Sequence, residues 1–116
     1  MTQEHKQLLF KDLCGRLPYG VICKLSAKDA NVSITEKLDT GGLEHFIFGT
    51  MDVKPYLRPM SSMTEKEKEE YAKTFDWDYS IQGTPFDWLD KKMFDYRGLI
   101  PMGLALEAKE GMYKTE

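Results

Sequence analysis

Tyr19-Gly20-Val21-Ile22-Cys23-Lys24-Leu25-Ser26, then Asn31-Val32-Ser33-Ile34-Thr35-Glu36-Lys37-Leu38, are the two runs whose reading decides the fold. In the first, Val21, Cys23 and Leu25 alternate with Ile22, Lys24 and Ser26. In the second, Val32, Ile34 and Leu38 alternate with Asn31, Ser33, Thr35 and Lys37, interrupted by Glu36. A period of two belongs to extended chain, whose successive side chains fall on opposite faces. The polar residues Ala27-Lys28-Asp29-Ala30 turn the chain between the runs, and the second run has one wet face. Asp39-Thr40-Gly41-Gly42 reads as a hairpin turn, because glycine supplies the positive φ that tight turns need. Leu43 to Phe48 then reads as a third strand. Its His45-Phe46-Ile47-Phe48 run is almost continuously apolar, which predicts a position that is central or buried on both faces. Gly49-Thr50 leads to a shorter fourth strand through Met51, Val53 and Tyr56, which Pro55 and Pro59 confine to an edge or a turn. Residues 19–57 are expected to form a small antiparallel meander or SH3-like barrel.

Helices flank this platform. Residues 4–15 carry Leu8, Leu9 and Leu13 at near-helical spacing, with Lys6, Gln7, Lys11 and Asp12 on the other side; Gly15 and Pro18 are the expected stop. Thr64-Glu65-Lys66-Glu67 has the spacing of a capping box and opens a charged surface helix that ends near Thr74. Thr84-Pro85-Phe86-Asp87 opens another, since proline suits the first helical position and an acid suits the positive helix end. Phe86, Leu89 and Met93 fall on one stripe of it, and Trp88 points elsewhere, with Lys91 and Lys92. Residues 98–108 carry mixed signals, and residues 111–116 read as a frayed tail. The order helix, strands, helices predicts one α+β domain over residues 1–116, with an N-terminal helix and two C-terminal helices packed on the sheet.

The chain has 116 residues, 41% of them hydrophobic and 30% charged, with a net charge of −3 from 16 basic and 19 acidic side chains. That composition suits a soluble globular domain large enough to bury a core without disulfides or metals. A binder of nucleic acid usually carries a basic surplus, which is missing overall. The N-terminus is polar, no run is long and apolar enough to span a membrane, and two cysteines make no disulfide framework. A reduced, cytoplasmic protein is expected, with Cys14 and Cys23 behaving as small hydrophobes.

Half of the aromatic residues, both tryptophans included, fall between Phe75 and Tyr96, interleaved with five aspartates. Aromatic side chains dominate cores and interfaces alike. Phe75, Phe86, Trp88 and Phe94 are expected mainly in the core. Tyr56, Arg58, Trp77, Tyr79 and Arg97 form the candidate interaction patch. Asp76, Asp78, Ser80, Gln82, Thr84 and Asp87 fall at positions 1, 3, 5, 7, 9 and 12 of a calcium loop. Yet Ile81 stands where such a loop needs glycine, Asp87 replaces the bidentate glutamate, and Pro85 interrupts. An acidic turn explains the same residues. His45 with Cys14 or Cys23 is the one thiol–imidazole combination available, and a hydrogen-bonded structural histidine is the simpler expectation. No nucleophile-elbow, zinc-protease, phosphate-loop or dinucleotide motif occurs. No catalytic residue, metal or cofactor is therefore expected.

Three phrases occur together: Leu17-Pro18-Tyr19-Gly20-Val21; Lys54-Pro55-Tyr56-Leu57-Arg58-Pro59-Met60-Ser61-Ser62-Met63-Thr64; and Asp87-Trp88-Leu89 with Phe94-Asp95-Tyr96-Arg97-Gly98-Leu99-Ile100. In these the chain resembles a family of short proteins, without established activity, encoded by gut anaerobic bacteria and their phages or integrated elements. Residues 26–50 contribute least. The resemblance implies an accessory role in a phage or mobile element and supplies no catalytic residues. The expected function is a non-catalytic protein-interaction module whose partner is another protein, a second copy included. The alternative is a nucleic-acid-binding accessory protein using a local basic and aromatic edge, where Tyr56 with Arg58 and Tyr96 with Arg97 are the best pairs.

Overall fold

The computed structural model describes residues 1–76 and 83–113. In chain order the elements are α1 (Gln3–Arg16), β1 (Ile22–Ala27), β2 (Ser33–Lys37), α2 (Thr40–Phe48), β3 (Met51–Leu57), α3 (Glu65–Lys73), α4 (Pro85–Lys91) and β4 (Leu106–Glu107). Short 3-10 turns at Leu17–Tyr19 and Met60–Ser62 connect them. The fold is α+β. Its sheet is mixed and open, in the order β2-β1-β3-β4, with β4 parallel to β3 and the other pairs antiparallel. The SH3-like barrel is therefore not formed: β2 and β4 stay at opposite edges of the sheet.

The third expected strand is a helix. Asp39, read as part of a hairpin turn, is the N-cap of α2, its Oδ1 accepting from the Gly42 N–H at 2.8 Å. Gly42 lets α2 lie close on the sheet, since a Cβ there would stand 3.0 Å from Leu38 Cδ1. Leu43 and Phe46 turn toward the core, whereas Ile47 and Phe48 are exposed. A short apolar run has no decisive period, and the glycines favoured the wrong one.

Ladder phase follows from proline. Pro55 pairs with Cys23 in an inner strand, not at an edge. Having no N–H, it belongs to a pair whose polar groups turn away from β1. The β1–β2 side agrees: Ala27 donates to the Val32 carbonyl and Leu38 to that of Val21. Odd-numbered residues of β1 thus bond β2, and even-numbered ones bond Asp52 and Lys54. Where the β1–β3 ladder ends, the Tyr113 hydroxyl takes its place, accepting from the Ile22 N–H at 2.8 Å and donating to the Tyr56 carbonyl at 2.7 Å. The chain is thus anchored as far as Tyr113, and only residues 114–116 of the expected tail lie outside the described residues.

The core joins Leu9 and Leu13 of α1, Cys23, Leu25 and Val53 of the sheet, Phe46, Met93 and Leu99. A second cluster holds Trp88, Leu89 and Phe94, with Tyr71 packed on it. Trp88 and Phe94 are buried, as expected, although Trp88 lies off the stripe of Leu89 and Met93, whereas Phe86 is 60% exposed. Phe75 is exposed as well. The expected capping box of Thr64 with Glu67 is present, and the helix opened by Thr84-Pro85 carries a second one, Thr84 with Asp87.

Candidate functional site

Two assemblies of charge stand out. The first is buried between α1 and α4. Arg16 and Asp12, one helical turn apart, are both fully buried, and Arg16 Nε donates to the Asp12 carboxylate at 3.0 Å. Its other nitrogens donate to the Phe94 carbonyl at 2.6 Å and the Leu89 carbonyl at 3.5 Å. Arg97 donates to Asp12 at 2.6 Å, and Tyr96 donates to Asp90 at 2.9 Å beneath both guanidiniums. Gly15 does not stop α1; it admits Asp90, because a Cβ there would lie 3.0 Å from Oδ2. Burial raises the Asp90 carboxyl above its ordinary range despite the nearby arginines, and burial with the Asp90 hydrogen bond pushes the Tyr96 phenol up to about 12. Among the described residues every buried side-chain polar atom has a partner. The geometry is that of a clasp fastening α1 to α4.

The second assembly is open. A groove of about 580 Å³ runs between the first half of α1, the end of α2, β3 and the turn at 102–104. His5 and Lys6 come from α1, Lys28 from the β1–β2 turn, and Asp52 and Lys54 from β3. Lys28 reaches the α2 C-terminus, where its Nζ lies near Gly49 and faces the negative end of the helix. Lys6, Lys28 and Lys54 make no ion pair among the described residues. By the phase that Pro55 fixes, the Val53 N–H and carbonyl turn away from β1. β4 covers β3 only at Tyr56 and Leu57; Val53 is buried, and half-buried Met51, whose N–H and carbonyl share that direction, stands at the groove.

The expected patch is distributed otherwise. Tyr56 is buried. Arg58 makes a two-pronged pair with Glu67, at 2.7 and 2.8 Å, and stacks 4.2 Å from the Phe94 centroid. That pair, opposed by partial burial and helped by Thr64, holds the Glu67 carboxyl down at about 2. Arg97 belongs to the clasp, while Trp77 and Tyr79 lie outside the described residues. So do Asp78, Ser80 and Gln82 of the acidic loop; Asp87 there caps α4 through the Thr84 N–H at 2.8 Å. His45 Nδ1 bonds Thr50 Oγ1 at 2.7 Å, and Cys14 is exposed. Cys23 is buried, which pushes its thiol up to about 12 and keeps it protonated at neutral pH. Among the described residues no helix is long and apolar enough to cross a membrane.

Sequence reasoning missed the groove, since its lysines sit at positions 6, 28 and 54 on three separate segments and no spacing connects them. The clasp had one signal, the i,i+4 placement of Asp12 and Arg16, but that spacing is equally that of a surface pair. No protein-family model, no curated protein and no solved structure matches this chain.

Proposed function

We propose that the protein is a non-catalytic protein-interaction module whose groove takes an extended, acidic segment of a partner protein as an added strand beside Met51. The observation that carries this reading is the meeting of the half-buried Met51 end of β3, beyond the reach of β4, with three lysines that make no ion pair among the described residues. An open edge offers backbone hydrogen bonds to any extended chain, and the flanking ammonium groups select carboxylate side chains. The chemistry elsewhere supports binding over catalysis. The Cys23 thiol is protonated, His45 is bonded to Thr50, and the buried acids Asp12, Glu67, Asp90 and Asp95 are engaged in holding the fold. An accessory role in a phage or mobile element, which the resemblance implies, suits a small module of this kind.

The nucleic-acid reading draws on the same lysines. Single strands, however, call for aromatic platforms beside the cations. Phe46 lines the groove but is buried, and Asp52 sits on its wall against phosphate. Fluorescence anisotropy of a labelled peptide of alternating glutamate and valine tests the proposal. Saturable binding that weakens with salt, falls about tenfold in Lys28→Gln/Lys54→Gln protein and is absent for a lysine–valine peptide is the expected result. Equal binding of both peptides would overturn it. Tighter binding of a labelled single-stranded oligonucleotide would transfer the groove to the nucleic-acid reading.

A further inference from the structure

The two sides of the groove differ in chemistry. In β3 the side chains of Met51 and Val53 stand on the core face, level with Ala27 and Leu25, whereas Asp52 and Lys54 stand exposed on the outer face. The core side has an apolar floor. Leu9 of α1, Phe46 of α2, Val53 and Leu104 close it, and all four are buried. Beside them, half-buried Met51 and Met102, which is 46% exposed, offer apolar surface to whatever enters. The volume of about 580 Å³ falls in the range that encloses a ligand group.

On the basis of the added strand beside Met51, we infer that the acidic segment is anchored by one large apolar side chain (leucine, methionine or phenylalanine) seated on Met51 and Met102, with carboxylates on the residues either side of that anchor. Successive side chains of a strand fall on opposite faces. The residue paired with Met51 therefore turns its side chain to the core face, and its two neighbours turn theirs to the outer face. The outer face offers the Lys54 ammonium group to a carboxylate. The core face offers two thioethers and the apolar floor, which a large apolar side chain shields from water. Methionine is unbranched and polarizable and repacks around partners of different shape, so the seat selects size and apolarity more than outline. Met51 and Met102 are in this way the residues that set specificity, and the lysines set the sign of the flanking charge.

Anisotropy titration with three labelled peptides tests the anchor: the alternating glutamate–valine peptide, and versions whose central valine is leucine or alanine. The leucine peptide should bind about tenfold more tightly than the alanine peptide. That ratio should persist as added salt weakens both. Carbon-13 methyl spectra locate the contact. The Met51 and Met102 signals, assigned from Met51→Leu and Met102→Leu proteins, should shift more with the leucine peptide than with the alanine peptide. The signal of Met60, in the 3-10 turn outside the groove, should stay in place. Equal affinity for the leucine and alanine peptides, a ratio that vanishes with salt, or Met51 and Met102 signals unmoved by the leucine peptide would each overturn the inference and leave the acidic-segment reading standing. If none of the three peptides binds, both fall together.

Discussion

The clasp and the groove put the two kinds of cation to opposite uses. All three arginines point inward: Arg16, Arg58 and Arg97 have side chains between 0% and 16% exposed, and each lies against a carboxylate and over an aromatic ring. Lys6, Lys28 and Lys54 face an open groove with no carboxylate among the described residues paired to them. The physical chemistry of the two groups accounts for the division. A guanidinium is planar, weakly hydrated and able to serve several acceptors at once, so it survives burial if every N–H is used. An ammonium is strongly hydrated and is stable at a wet surface, where it attracts anions from outside. Charge in the clasp therefore specifies the fold, and charge in the groove specifies what approaches it.

The largest expected effect lies in the clasp. Arg16→Met leaves Asp12 and Asp90 without their central partner, and urea denaturation should register a loss of about 3–5 kcal/mol. A loss as small as that of a surface mutation would erase the contrast between the regions.

The Arg58–Glu67 pair comes next. Glu67→Gln should cost about 2 kcal/mol at neutral pH. The sign of its pH dependence follows from a folded value of about 2 against an ordinary 4.5. The contribution of the carboxylate is complete above the ordinary value and is lost as pH falls through the window toward 2. Stability curves of wild type and Glu67→Gln should therefore converge between those limits, and parallel curves would contradict the pairing.

Gly15→Ala is smaller. A helix-interior glycine replaced by alanine usually gains about 0.5–1 kcal/mol. Here the added methyl meets Asp90 at 3.0 Å, so a net loss of about 1 kcal/mol is expected instead. A measured gain would mean that α1 and α4 can separate cheaply.

The smallest effect on stability belongs to the groove. Lys28→Gln and Lys54→Gln should each stay within about 0.5 kcal/mol of the wild type. Lys54 faces Lys24 across the β1–β3 ladder, so its replacement relieves a like-charge pair. Affinity for the glutamate–valine peptide should fall about tenfold in the double variant. A loss of folding in these variants would make the groove part of the scaffold.

What the sequence disclosed follows the range of each interaction. The alternation of residues 21–38, the capping box at Thr64 and the proline and acid that open the helix at Thr84 are local, and each was legible. The helix α2 was not, because Asp39 and Gly42 serve an N-cap as readily as a hairpin, and only contact with Leu25 and Leu38 settles the choice. Pro55 suggested an edge; in the fold its polar groups turn away from β1 and β4 begins just past it, so the missing donor removes no ladder bond. Asp12 looked like solvent-facing charge on α1, and its burial rests on Arg16 one turn on and on Arg97, 85 residues away, which no local pattern connects to it. The groove is the extreme case, since three segments must meet before its lysines share a surface.

Deuterium exchange at the Met51 amide, with and without the glutamate–valine peptide, decides whether the groove takes an added strand. Rapid exchange in the free protein, slowing at least about tenfold in the complex, is expected. The neighbouring Asp52 amide, bonded to β1, should be protected in both states. Protection of Met51 before any peptide is added, or exchange that peptide leaves unchanged, would rule the added strand out.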